Sequence, residues 1–453
     1  MTVIIHQQRQ YFNTGETLDP SYRIAQLKKL KQAIKDHDYF IYDALRKDLN
    51  KPLFESYATE LASVYSELDY MIKHVRNFAR PKRVGTSLAH FYSKSHIHQE
   101  PYGTVLIIAP WNYPIQLSFV PLIGALAAGN TVILKPSEMA PATSHIIKAI
   151  IESVFPREYV AVEEGDGSVS QALLQEGVDY CLFTGSSQVG KSIMETASQS
   201  LTPVTLELGG KSPVIVAPDT NIKHAAQRIV WGKFVNAGQT CIAPDYLIVH
   251  EDIKDELIQK MSEVIHEFYG MSPVTQPDYP RIINQKHFDR LTALLEGTTI
   301  YHGGKSDPET LTIEPTIVLD PDLDSELMQE EIFGPILPVI TYQETGEAVN
   351  FIRSKEKPLA LYLFTQNNTL KKYIKTHVSF GGGAINDTLI HQSNHNMPFG
   401  GVGNSGIGAY HGKYSLETFS HPKAILEKTD AFDIKLRYPP YTDTILKVLQ
   451  KFL

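Results

Sequence analysis

The feature that most constrains this chain is an alternation that begins near residue 104. Short β-branched runs at 104–109, 131–134, 159–162, 179–184, 203–208 and 213–216 are separated by stretches of helical period, including 142–154 and a helix opening at Ser187. Strands joined by helices of this length read as βαβ units, which build parallel, doubly wound sheets. A second series starts near Asn221 and continues through runs at 246–249, 336–341, 361–365 and 382–386. Ahead of the first series the chain reads as helical. Asp19 and Pro20 look like an N-cap followed by proline at the first helical position. Ile24, Leu27, Leu30, Ile34, Ile41, Leu45 and Leu49 then recur at helical spacing, and a second run from Leu61 to Phe78 stops at Pro81. The segment 82–100 is polar and His-rich, suited to a hairpin or arm. At 453 residues the chain exceeds what one simple core holds. The expected fold class is therefore α/β, with two doubly wound domains and a small arm.

Composition narrows the function. A net charge of −8 and the lack of a basic block argue against a nucleic-acid partner, and give no general attraction to an anionic membrane. The two cysteines, Cys181 and Cys241, make neither a disulfide framework nor a four-thiolate metal site, which fits a reducing, cytoplasmic compartment. No signal peptide is read at the N-terminus. No run approaches the ~18 consecutive apolar residues that span a bilayer.

One motif points elsewhere. GSSQVGKS at 185–192 satisfies the P-loop pattern in full, follows an apolar strand and opens a helix. Both a P-loop and a dinucleotide turn set helix N-terminal amides against phosphate, so the motif by itself reports only phosphate contact. A nucleotide hydrolase would also need an Mg²⁺-holding Asp at a later strand end. Asp219 and Asp387 are available, but neither is a clean match.

NAGQTC at 236–241 places Cys241 after a small-residue turn. Alone it could be a space-filling thiol, since a free cysteine is mostly protonated at neutral pH, with a pKa of ~8.5. Its company changes the reading. PWNYP (110–114), LKPSE (134–138), FTGS (183–186), ELGGKS (207–212), GQTC (238–241) and EEIFGP (330–335) resemble the aldehyde dehydrogenase superfamily in chain order and approximate spacing. PFGGVGNSG (398–406) followed by YHGKYSLETFSH (410–421) is similar to its class 3 branch, which includes enzymes for fatty and aromatic aldehydes. The resemblance runs over essentially the whole chain.

The resemblance implies roles. Cys241 attacks the aldehyde carbon, and the Asn112 side-chain amide with the Cys241 backbone N–H holds the oxyanion. Glu207 activates water against the resulting thioester, which favours a free acid over transfer to coenzyme A. Lys135 and Glu138 match positions at the adenosine ribose. Gly185, Ser186 and Gly190 match the turn at the pyrophosphate, which displaces the P-loop reading and leaves Lys191 a solvated helix residue. Glu331 matches the residue holding the nicotinamide ribose, and Phe333 the one packed beside it. A carboxylate at Glu138 favours NAD, with NADP as the alternative. Tyr65, Tyr113 and Trp231 match positions near the substrate funnel, and serve equally as core aromatics.

The expected organisation is a Rossmann-like dinucleotide-binding domain of residues 1–81 and 100–208, a catalytic domain of 209–410, and a bridging or oligomerisation arm of 82–99 and 411–453. The implied activity is oxidation of a lipophilic aliphatic or aromatic aldehyde by a homodimer. A coenzyme A-acylating dehydrogenase is the near alternative. His391, His395 and His411 show no acidic or thiol partner at ligand spacing, so no metal is expected. Cys181 reads as inert core. Ile445, Val448, Leu449, Phe452 and Leu453 form an apolar stripe on a short terminal helix. Two readings stand for that stripe, docking on the body or a partner subunit, and peripheral membrane contact.

Overall fold

A computed structural model describes residues 2–87, 90, 92–431, 433 and 437–452. The six-stranded sheet runs in the order Gly406–Ile407, Val204–Glu207, Tyr180–Thr184, Thr104–Ile108, Thr131–Lys135, Val160–Val162. Five strands are parallel, and Gly406–Ile407 closes one edge antiparallel. The chain starts in the middle at Thr104–Ile108, builds outward through two strands, then crosses back to build the other side. That reversal leaves a crevice beyond the carboxyl ends of Thr104–Ile108 and Tyr180–Thr184, where doubly wound sheets bind ligands.

The seven-stranded sheet follows the same logic from Pro213–Val216. Tyr246–His250, Ile336–Tyr342 and Thr316–Leu319 lie on one side, with Thr299–His302 antiparallel at the edge. Ala360–Phe364 and Gly382–Ile385 lie on the other. Both sheets are the α/β architecture expected from the alternation. A third, antiparallel sheet joins Lys82–Val84, Ser93–Pro101 and Ser420–Lys428, so segments more than 300 residues apart share one ladder.

The N-terminal helices form as read. The Asp19 carboxylate accepts from Ser21 N at 2.8 Å, and Pro20 opens the helix Pro20–Asp36. Two of the helices not named from the sequence bear on the site and the core. Thr2–Asn13 exposes Val3 while burying Ile4, Ile5 and the polar Gln8, whose Nε2 donates to Val132 O, so its apolar period is blurred. Pro114–Ala128 is buried at every position, so no polar face gives it a period. It packs between the sheet and Ala62–Phe78, and puts the loop 109–113 at the crevice. The terminal helix Asp443–Phe452 forms, but the Val448, Leu449 and Phe452 side chains and Leu453 lie outside the described residues.

Candidate functional site

Helix Ile222–Phe234, capped by the Asn221 side chain, feeds directly into the loop carrying Cys241. That loop is unusual at the backbone. Asn236, Ala237 and Gly238 stand in succession in the left-handed region, with φ of 53°, 51° and 73°. Each non-glycine residue there costs roughly 1–2 kcal/mol, so the surroundings must hold the conformation. They do so with hydrogen bonds. Asn236 N donates to Glu55 Oε2 at 3.0 Å, and Asn236 Nδ2 donates to Asn112 O at 2.9 Å. Asn112 Nδ2 in turn donates to Gln239 O at 3.0 Å, and the Tyr113 and Thr240 hydroxyls lie 2.7 Å apart. The Gln239 amide donates to Asn236 O and Arg281 O and accepts from Ile283 N. A Cβ on Gly238 would lie 2.3 Å from Gly334 O, so the small-residue turn is a steric necessity. The Asn112 and Cys241 segments, 129 positions apart, thus form one hydrogen-bonded unit.

Cys241 is half-buried. Burial first, then the Glu331 and Glu207 carboxylates, push its thiol up to about 12. At neutral pH it is the protonated thiol. Glu207 ends the strand Val204–Glu207, paired with Gly406, and is only 2% exposed. Neither of its carboxylate oxygens has a hydrogen-bond partner among the described residues. Burial pushes its pKa far above the usual carboxylate range, which favours the neutral acid. A buried, unpartnered acid facing a thiol is costly for stability, and such groups cluster at functional sites.

Glu331 comes from the other sheet's loops. Burial, with Asp245 repulsion second, raises its carboxyl to about 8. Its Oε2 occupies the space of a Cβ on Gly209, which would lie 1.9 Å away, so a side chain at 209 would push the Glu331 carboxylate aside. Asp245 pairs with Lys211 at 2.5 Å and accepts from Ile332 N at 3.0 Å, and Arg290 Nη2 donates to Ile332 O at 2.6 Å. These contacts hold Phe333 at φ 50°, edge-on to Trp111 with ring centroids 5.4 Å apart. The Phe333 loop is thereby tied to the residue next to Asn112.

The crevice of the six-stranded sheet carries the groups assigned to a dinucleotide. Lys135 is the last residue of its strand, buried, with Nζ 2.5 Å from Glu138 Oε2. Ser186 caps the helix Ser187–Ser198, its hydroxyl accepting from Val189 N, and Gly190 is buried where that helix meets the sheet. A helix N-terminus and an ammonium at the ends of strands on the same side of the sheet suit a pyrophosphate and ribose. A P-loop fits less well. Lys191 is exposed, and Asp219 belongs to the other sheet, where it accepts from Thr365 Oγ1 and Gln366 N.

The substrate aromatics divide. Tyr113 is buried against Thr240 beside Cys241. The Tyr65 hydroxyl donates to Asp38 Oδ1 at 2.5 Å, on a neighbouring helix. Trp231 is 39% exposed on the helix leading to the thiol loop. Cys181 is buried in mid-strand. One expectation needs correcting. His395 does have an acidic neighbour, because Nε2 lies 3.1 Å from Glu67 Oε2, and His411 Nδ1 lies 3.9 Å from the same oxygen. The acid comes from a helix more than 300 residues earlier, which no local spacing reveals. Among the described residues no group of three such side chains is placed to hold a metal ion.

Sequence reasoning passed over Lys51, Glu55 and Glu60. A signal existed for Glu60, which shares the buried stripe of Val64, Glu67, Met71 and Val75 at helical spacing. A charge on a core-facing stripe marks a buried partner.

Comparison with known proteins agrees with this geometry. The aldehyde dehydrogenase family profile matches residues 2–425. The 4,4'-diaponeurosporen-aldehyde dehydrogenase of Staphylococcus aureus is 50% identical over 438 residues, covering 96% of this chain and 95% of that protein. The dog protein named aldehyde dehydrogenase, dimeric NADP-preferring, is 43% identical over 439 residues, covering 96% and 97%. A solved structure described as the substrate-bound state of Staphylococcus aureus AldH superposes with a TM-score of 0.97 at 49% identity, covering 99% of each chain. With the thiol loop, the buried acids and the doubly wound sheets in the arrangement described, the chain belongs to the aldehyde dehydrogenase family.

Proposed function

We propose that this enzyme oxidises a lipophilic aldehyde to the carboxylic acid, with Cys241 as nucleophile, Asn112 as oxyanion donor and Glu207 as the base for hydrolysis. The observation that carries the reading is the hydrogen-bonded union of the Asn112 and Cys241 segments, with the charge of a buried Glu207, unpartnered among the described residues, acting on the thiol. The Cys241 thiol first gives its proton to water or to an ionised Glu207; the sulfur then attacks the carbonyl carbon and the negative charge moves to oxygen. Asn112 spends one amide N–H on Gln239 O, which leaves its second N–H for that oxygen beside the backbone N–H of Cys241. One such donor contributes roughly 3 kcal/mol to lowering the barrier. A nicotinamide dinucleotide, when bound, supplies the hydride acceptor. Lys135, Glu138, Gly185, Ser186 and Gly190 would hold its adenosine and pyrophosphate, and Glu331 and Phe333 its nicotinamide end. Glu207 then takes a proton from water, the oxygen attacks the thioester, the C–S bond breaks, and the acid leaves.

NAD is the proposed cofactor, with NADP as the alternative. The Glu138 carboxylate would accept from a ribose hydroxyl and repel a 2′-phosphate, whereas the dog relative is named NADP-preferring. The lipophilic substrate class is supported by the diaponeurosporen-aldehyde in one relative's name. It is also supported by Leu53 and Phe54, both exposed immediately before Glu55, the residue bonded to the thiol loop. A homodimer in the cytoplasm is part of the same reading, with the antiparallel arm sheet as its joining element and the terminal helix docked or at a membrane surface. No helix among the described residues is long and apolar enough to cross a membrane.

The test is formation of reduced NAD or NADP, followed by absorbance, with short, long-chain and aromatic aldehydes and with Cys241→Ala alongside. Turnover of the longer members by the wild type and none by the variant supports the reading. Unimpaired turnover in Cys241→Ala, or dependence on coenzyme A, overturns it.

A further inference from the structure

Helix Ala62–Phe78 is entered through a π-helical segment, Ser56–Leu61. Such segments are rare and occur mostly at functional sites. On an α-helix, residues five apart lie about 140° from each other around the axis. A π turn closes between residues i and i+5, which brings Glu55 and Glu60 toward one side. Both carboxylates are used there. Glu55 accepts from Asn236 N in the thiol loop. Glu60 Oε2 accepts from Ile115 N and Gln116 N, each at 2.9 Å, at the start of the helix Pro114–Ala128. Its other oxygen, Oε1, lies 2.6 Å from Lys51 Nζ. Lys51 in turn donates to Asn112 O at 3.2 Å, and its ammonium lies 4.2 Å from the centre of the Tyr113 ring. The Lys51 and Glu60 side chains are both fully buried. Fully buried ion pairs add little net stability, because desolvation offsets the attraction, so their use has to be sought in what they fix.

We propose that Lys51 and Glu60 are positioning residues for the oxyanion site. Glu60 pins the amides just after Pro114, Lys51 pins the Asn112 carbonyl, and together they set where the Asn112 amide points. Glu55, immediately before the π segment, fixes the strained loop on the other side, so one short helical irregularity registers the donor against the sulfur. The inference rests on the reading of Asn112 as oxyanion donor.

A mutant cycle on the full-length enzyme separates positioning from general support. The variants are Asn112→Ala, the charge-neutral pair Lys51→Met with Glu60→Gln, and all three changes together. Each is assayed for kcat, KM for aldehyde, cofactor affinity and thermal midpoint. The pair is expected to lower kcat about 10- to 100-fold, with cofactor affinity and midpoint nearly unchanged, as for a donor displaced by about an ångström. In the Asn112→Ala background the same pair is expected to change kcat by less than about 2-fold, because the group it positions has gone. Full multiplicative losses in the triple variant overturn the proposal, as does an unchanged kcat in the pair. If Asn112→Ala itself leaves kcat intact, the oxyanion assignment fails and the positioning role fails with it. Should the pair not fold, Glu60→Gln alone, which keeps an acceptor for the two amides, is taken through the same cycle with the same criteria.

Discussion

Lys233 lies in the last turn of the helix that delivers the thiol loop, with no exposed surface, and its Nζ has no hydrogen-bond partner among the described residues. Burial, offset in part by Asp245, lowers its pKa from 10.5 to about 8. At roughly 1.36 kcal/mol per pH unit, that gap of about 2.5 corresponds to about 3 kcal/mol of destabilisation whenever both folded and unfolded forms carry the proton. This condition holds below pH 8. Between pH 8 and 10.5 the unfolded chain binds more protons than the folded one, so stability rises with pH and the penalty fades. By pH 10 it is under about 1 kcal/mol. Lys233→Met keeps the length of the side chain and removes the charge. For 453 residues the unfolding entropy is on the order of 1 kcal/mol per degree. The variant is therefore expected to raise the thermal midpoint at pH 7 by roughly 3 °C, and by under about 1 °C at pH 10, read by calorimetry or circular dichroism. A lower midpoint at pH 7, or a gain independent of pH, would refute the reasoning, because it would mean that the ammonium is compensated in the folded protein.

Four further outcomes follow from the site. Glu207→Gln is expected to reduce about one cofactor per subunit and then stall as the thioester, with steady-state turnover down on the order of 10²-fold or more. Since burial raises the Glu207 pKa and the base acts ionised, wild-type deacylation should climb with pH through a titration above the usual carboxylate range. Single-turnover kinetics across pH checks both, and a wild-type-like profile in the variant counts against the assignment. Gly209→Ala puts a methyl 1.9 Å from Glu331 Oε2, so the carboxylate must move away. KM for the cofactor should rise at least about 10-fold, and an unchanged value would remove Glu331 from the cofactor site. Glu138→Ala should shift the NADP-to-NAD preference toward NADP by roughly 10-fold in kcat/KM, since the group that repels a 2′-phosphate is gone. An unchanged ratio would mean that Glu138 does not select the cofactor.

What the sequence determined on its own was whatever repeats locally or stands as a short ordered motif. The alternation of β-branched and helical runs gave the doubly wound architecture because strand and helix periods are set by neighbours in the chain. The cap at Asp19 and Pro20 was legible for the same reason. The residues proposed for the chemistry were legible through the ordered motifs that resemble the aldehyde dehydrogenase superfamily. The tertiary structure decided what no local pattern carries. Pro114–Ala128 has no polar face, and Thr2–Asn13 buries Gln8 while exposing Val3, so neither announced itself as a helix. Glu67 stands beside His395, Lys51 beside Asn112 and Glu60 beside Ile115, across intervals of tens to hundreds of residues. The left-handed run at Asn236 and Ala237 exists only because Glu55, Asn112 and Gln239 hold it. A buried charge takes its meaning from the partner that desolvation forces on it, and that partner is chosen by packing between distant segments.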